Sequence, residues 1–251
     1  MSNATEAGLT PLEQTRRRRA VRILDAAADL LLRRGYQHVT IEDIAQQAEI
    51  GKGTIYLQWK TKEALFAALM QREAVAMWRA LLQRTRARPE EVLFHRTLRS
   101  MLEIQAGAPI ARAMFTEDRD LLGKLLRSGA TAQLRAQQQD FQRQMLIWMR
   151  EQGLLRTDLD LDAQGHAIRA TVKGFLLAES QLGAFKPPLH VRADALAYTI
   201  RRAFEPDELP TGAALAASAA RMIEIMERLC VAFERAIYGP ADGDAASSGR
   251  G

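Results

Sequence analysis

The chain has 251 residues, of which 47% are apolar, and a formal net charge of +5 at pH 7. Such a chain can bury a sizeable core and hold two domains. Residues 1–14 lack the pattern of a secretion signal, no apolar stretch is long enough to span a bilayer, and the single Cys230 excludes an internal disulfide, so a cytoplasmic protein without a membrane segment is expected.

Residues 1–14 read as a flexible amino terminus. Arg16, Arg17, Arg18 and Arg19 follow as a basic arm just before the first helix, either tracking DNA phosphates or a minor groove, or serving as a solvated tail. Between Thr15 and Lys62 ten cations stand against five acids, an excess equal to that of the whole chain, so the positive charge is concentrated there. Ile23, Leu24, Ala27, Ala28 and Leu31 form an amphipathic stripe closed by Arg33, Arg34 and the terminating Gly35. Thr40 and Asp43 make a capping box, so a second helix begins at about Ile41, with Ile41, Ile44, Ala45 and Ala48 on its apolar face. The chain must turn around residues 48–50. From Lys52 a helix of roughly two turns fits, with Ile55 and Trp59 inward and Lys52, Gly53, Thr54 and Tyr56 outward. Two short helices joined by a tight turn, carrying such groups outside, are a helix-turn-helix reader of DNA. Thr and Lys meet base edges or phosphates in the major groove, and Gly lets the backbone come close. Thr61 then caps a further helix whose positive end holds Lys62, a place that favours phosphate.

Further along, helices are expected over about 61–86, from Pro89 to about 107, over 109–117, 118–127, 131–152, from about 162 to 183, over 191–205 and over 212–237. Gly183 to Pro188 is a break, Pro206 and Pro210 bracket a linker, and residues 239–251 read as a disordered tail. Strand signals are nearly absent, which makes the fold all-α. In the last helix Leu215, Ala219, Met222, Ile223, Met226, Leu229, Cys230, Phe233 and Ile237 form one stripe, with Glu227, Glu234 and other charges mostly off it. Ala167, Ala170, Thr171, Gly174 and Ala178 line a small-residue face on an earlier helix. These two faces make either an internal helix pair or half of a four-helix dimer interface. The dimer is favoured because one recognition helix carries little specificity, whereas a twofold pair reads two half-sites.

Met101, Met114, Phe115, Phe141, Met145, Trp148 and Phe175 are soft or aromatic groups suited to an adaptable apolar pocket, although residues of this kind at helical spacing more often serve as core packing. Glu103 and Glu179 sit in apolar stretches, so each lies at the surface or is buried and paired, by a cationic ligand or by Arg169 or Lys173. Catalysis is poorly supported. Gly51 to Thr54 fails the spacing of a phosphate loop, no nucleophile elbow occurs, and His38, His95, His166 and His190 are scattered, so neither a metal nor a cofactor is expected.

Residues 23–70 resemble the amino-terminal domain of the TetR/AcrR family of bacterial transcriptional regulators. The resemblance rests on Ile23-Leu24-Asp25-Ala26-Ala27, Arg34-Gly35-Tyr36, Thr40, Asp43-Ile44-Ala45, Lys52-Gly53-Thr54-Ile55-Tyr56 and Lys62-Glu63-Ala64-Leu65-Phe66. It implies that Thr40, Lys52, Thr54, Tyr56 and Lys62 contact DNA, mostly its backbone. Gly51, where a serine is common, and Trp59, where Phe is usual, depart from the pattern; at a helix N-cap the first costs only a few tenths of a kcal/mol. The resemblance also implies an amino-terminal three-helix domain at 15–77, with the helix-turn-helix at about 40–59, joined by a long helix to a helical ligand-binding and dimerisation domain at 78–238. The expected function is that of a homodimeric repressor on a palindromic double-stranded DNA operator, released by an unidentified small-molecule effector and dimerising through its carboxy-terminal helices. A nonspecific nucleoid-type DNA-binding protein is the alternative.

Overall fold

The computed structural model describes residues 10–181 and 186–239, with the backbone alone for 179–181. Among these residues eleven α-helices occur and no strand. The first helix, α1 (Pro11–Arg34), starts earlier than expected. Thr10 accepts from the Glu13 backbone N–H while the Glu13 carboxylate accepts from the Thr10 N–H, and Pro11 occupies the first helical position. Residues 11–14 are therefore helical, and Arg16 to Arg19 lie within α1 instead of forming an arm before it. A 3-10 turn (Tyr36–His38), α2 (Ile41–Gln47) and α3 (Lys52–Gln58) complete the small domain, and the long α4 (Lys62–Ala87) leads out of it. Ile23, Leu24, Leu31, Ile44, Ile55, Leu65 and Phe66 are fully buried there, each such aliphatic side chain contributing about 1.5–3 kcal/mol. Tyr36 meets Phe66 edge to face at 5.0 Å.

The larger part contains α5 (Phe94–Ala106), α6 (Pro109–Thr116), α7 (Arg119–Leu122), α8 (Gly129–Glu151), α9 (Leu161–Gln181), α10 (Leu189–Phe204) and α11 (Gly212–Tyr238). Pro89 opens only a 3-10 turn, and α5 starts at Phe94 with no side-chain cap of its own. Its cap comes from the end of α10. The buried Glu205 carboxylate accepts from the His95 backbone N–H at 2.7 Å and lies 2.8 Å from His95 Nδ1. The helix expected over 118–127 breaks at Gly123 (φ +50°), where a 3-10 turn follows. Ser128, not Thr131, caps α8.

The long α4 forms the spine of the larger part, with α5, α6 and α8 packed on it and α11 lying along it. Leu215, Ala219, Met222, Met226, Cys230 and Ile237 of α11 are buried, so the stripe expected to meet a second copy is covered within its own chain. Periodicity announces a buried face but not its partner. The two parts also meet near Tyr36. A Cβ on Gly35 would stand 3.0 Å from the Asp120 carbonyl oxygen, and one on Gly123 2.8 Å from Gln37 Nε2. No described helix is long and apolar enough to cross a membrane.

Candidate nucleic-acid interface

The turn between α2 and α3 is fixed from within. Glu49 adopts the left-handed conformation (φ 53°), and the Ile50 N–H donates to the Ala45 carbonyl at 3.0 Å. Arg22 of α1 donates to the Ala48 carbonyl at 3.0 Å, satisfying the end of α2, so one cation of the basic segment is structural. The completely buried Ile55 and the buried Trp59 hold α3 by its inner side.

The outer face of α3 carries Lys52, Gly53 and Tyr56 in the open, with Thr54 half-buried. A Cβ at Gly53 would meet no atom within 4 Å. The Lys52 ammonium pairs with the Glu42 carboxylate and lies 5.9 Å from the Tyr56 ring centroid. Their hydrogen bond raises the Lys52 pKa and lowers that of Glu42, so both stay charged. Leu57, 70% exposed, was missed in the sequence because an isolated apolar residue off the inner face carries no periodic signal. The Thr40 hydroxyl donates to the Asp43 carboxylate at 2.6 Å and accepts from the Asp43 N–H, which leaves it at the exposed start of α2.

Lys62 is half-buried. It donates to the Tyr36 carbonyl at 2.7 Å and stands 4.0 Å from that ring's centroid, while burial lowers its pKa. An ammonium has three donors, so others remain for a phosphate at the positive end of α4. The four arginines of α1 divide. Arg16 donates to Gln58 Oε1 at 2.8 Å, and Arg17 lies 3.8 Å from the Glu234 carboxylate and 4.7 Å from the Tyr238 ring centroid, whereas Arg18 and Arg19 are exposed.

In the larger part Met101, Met114, Phe115, Phe141, Met145, Trp148 and Phe175 are all half-buried, and all but Phe141 pack against the core. Trp78 of α4, not singled out in the sequence, meets Phe141 edge to face at 5.6 Å. Gln105 was also missed, since one amide at core spacing gives no pattern. It is buried with its Oε1 unpartnered, and its Nε2 reaches only Met77 Sδ at 3.8 Å. Glu103 does not await a cationic ligand, nor does it pair with Arg169 or Lys173. Arg84 at 2.6 Å and Arg99 at 2.8 Å neutralise it, while Lys173 pairs with Glu117. The side chain of Glu179 lies outside the described residues. An open groove of 490 Å³ runs between α9 and α10; it includes Phe175 and the small residues Ala170, Gly174 and Ala178. Among the described residues no group of His, Cys, Asp or Glu is placed to hold a metal ion.

Residues 23–69 match the family described as bacterial regulatory proteins, tetR family. The chain is 40% identical over 53 residues to the uncharacterized HTH-type transcriptional regulator YvkB of Bacillus subtilis, a match spanning 21% of this chain and 28% of that protein. It is 36% identical over 56 residues to the fatty acid metabolism regulator protein of the same organism, covering 22% and 29% of the two chains. The chain thus matches less than a third of the length of these curated relatives. In fold it is similar to the Bacillus subtilis transcriptional regulator FadR crystallised with stearoyl-CoA (TM-score 0.55, 17% identity, covering 72% of this chain and 96% of that one). It is also similar to a tetR family transcription regulator from Shewanella sp. PV-4 (TM-score 0.56, 14% identity, covering 74% and 97%).

Proposed function

We propose that the chain is a TetR-type regulator, a reading supported by the match of residues 23–69 to that family, and that it is a homodimeric repressor that binds a palindromic operator and releases it on binding a small-molecule effector with an apolar portion. The observation that carries this reading is the outer face of α3, where Lys52, Gly53 and Tyr56 stand exposed on a helix anchored by Ile55 and Trp59. Lys52 and Lys62 meet phosphates, joined by Arg18 and Arg19, while Thr40, Thr54 and Tyr56 supply hydroxyls. The exposed Leu57 offers an apolar contact to a thymine methyl.

The second copy docks on the α9 and α10 groove, whose small residues let helices approach closely, because α11 has its stripe covered already. The effector enters among the half-buried Met and aromatic groups of α5, α6 and α8, with the unpartnered Gln105 Oε1 as its polar anchor. Effector binding acts on DNA only through a difference in affinity for two reader spacings. A coupling of about 1–3 kcal/mol changes operator affinity about 5- to 150-fold. The route is α4, whose first turn belongs to the reader and whose far half belongs to the effector domain, together with the close approach of Gly35 to the Asp120 carbonyl and of Gly123 to the Gln37 side chain.

The test is selection of duplexes from a random pool by the purified protein, with nonspecific competitor and salt near physiological. An enriched palindrome supports the reading and provides the probe for effector titration, for which long-chain acyl-CoA is the first compound. Salt-sensitive binding to every duplex, with nothing enriched, would replace it with a nonspecific DNA-binding role.

A further inference from the structure

The end of α11 reaches the DNA reader at three points. The Glu234 carboxylate, only 7% exposed, pairs with Arg79 of α4 and with Arg17 of α1 at 3.8 Å. Tyr238 lies under the Arg17 guanidinium, 4.7 Å from it. The Gly239 carbonyl accepts from Gln58 Nε2 at 3.3 Å, and Gln58, the last residue of α3, accepts in turn from Arg16 Nε at 2.8 Å. One turn of α11 is thereby tied to the first turns of α1, the middle of α4 and the carboxyl end of the recognition helix. Farther back, Arg86 near the end of α4 pairs with Glu227 of α11, so the two helices are joined by charge as well as by the buried stripe. A buried carboxylate held by arginines from two other helices has little freedom, because a shift of either helix removes one of the two positive charges that offset it away from water.

We propose that α11 is a brace for the DNA reader, with Glu234 as a positioning residue that fixes the tilt of α1 and α3 against α4. In the dimer proposed above, on which this inference rests, that tilt sets the separation of the two recognition helices, so Glu234 governs which half-site spacing is accepted without touching DNA.

The experiment uses the full chain and the variants Glu234→Ala, Glu234→Gln and Tyr238→Ala, the last of which leaves the buried charges paired. Two quantities are read: backbone hydrogen exchange of the free protein, and affinity for the selected palindrome with its half-sites moved one or two base pairs closer or farther apart. Glu234→Ala and Tyr238→Ala are expected to speed exchange in residues 11–19 and 52–58 while leaving α5 and α6 protected. They are also expected to shrink the preference for the selected spacing by about fivefold, the lower end of ordinary coupling between sites. Glu234→Gln, which keeps one acceptor oxygen for Arg79 but loses the charge, should restore part of that preference. Variants that lose affinity equally at every spacing, in step with reduced thermal stability, overturn the proposal, as does unchanged exchange at residues 11–19 and 52–58. If the wild type selects no palindrome, the dimeric reading fails. Faster exchange confined to the reader would then still establish the brace, and its absence would remove it.

Discussion

Replacing Gly53 by Ala separates the stability of the recognition helix from its use. Gly53 is the second residue of α3, has no positive φ, and would present its new Cβ to open space. A helical Gly is about 0.5–1 kcal/mol worse than Ala, chiefly through the freedom it has when unfolded. For a chain of this size that gain raises Tm by about 1–4 °C. DNA responds in the opposite direction if the α3 backbone comes close enough for the missing Cβ to matter, because the methyl then holds the helix away from phosphate and base edges. The expected outcome is a higher Tm by calorimetry with at least about tenfold weaker binding of the selected duplex, equivalent to about 1.4 kcal/mol. Wild-type affinity in the stabilised variant would refute the close approach. A lowered Tm would show instead that the space over Gly53 is not open.

Lys52→Ala and Tyr56→Ala should each weaken the selected duplex while leaving the mass measured by light scattering unchanged; normal binding by both would move the reading surface elsewhere. Replacing both Arg18 and Arg19 by Ala should reduce the slope of log affinity against log salt by about 0.9 for each phosphate no longer neutralised, and an unchanged slope leaves these arginines in solvent. Glu205→Ala removes the acceptor at the start of α5 and should cost about 1.5–3 kcal/mol, read as a lower urea midpoint; an unmoved midpoint would refute the capping role. Burial pushes the Cys230 thiol from its ordinary 9.0 up to about 11. The unfolded chain therefore gives up this proton first, so Cys230 makes stability fall as pH rises from about 9 to about 11, and at pH 8 alkylation should wait for unfolding. Rapid alkylation of the native protein would contradict that burial.

Helix starts signalled locally were legible. Thr40 with Asp43, and Thr61, set the beginnings of α2 and α4 as expected, because a cap is a matter between neighbours in sequence. The same local signal stands at Thr10, Pro11 and Glu13, but the arginine run behind them has no apolar period, so periodicity alone starts α1 too late. What required the folded chain was any pairing across sequence. Glu234 lies off the apolar stripe of α11 and reads as a surface charge, yet arginines from α1 and α4 close over it. Glu103 takes its partners from α4 and α5 rather than α9. The site divides in the same way. The outward groups of α3 could be read from helical spacing, whereas the removal of Arg16, Arg17 and Arg22 from the free cations could not.

The covering of the α11 stripe by α4 also bears on the order of events in assembly. A protomer whose last helix is buried by its own chain need not await another copy to fold, so refolding should be first order in protein, with association following as a separate second-order step. In the proposed dimer, subunits joined through the α9 and α10 faces would part and recombine while folded, and two differently labelled populations mixed at low concentration should exchange partners without passing through the denatured state.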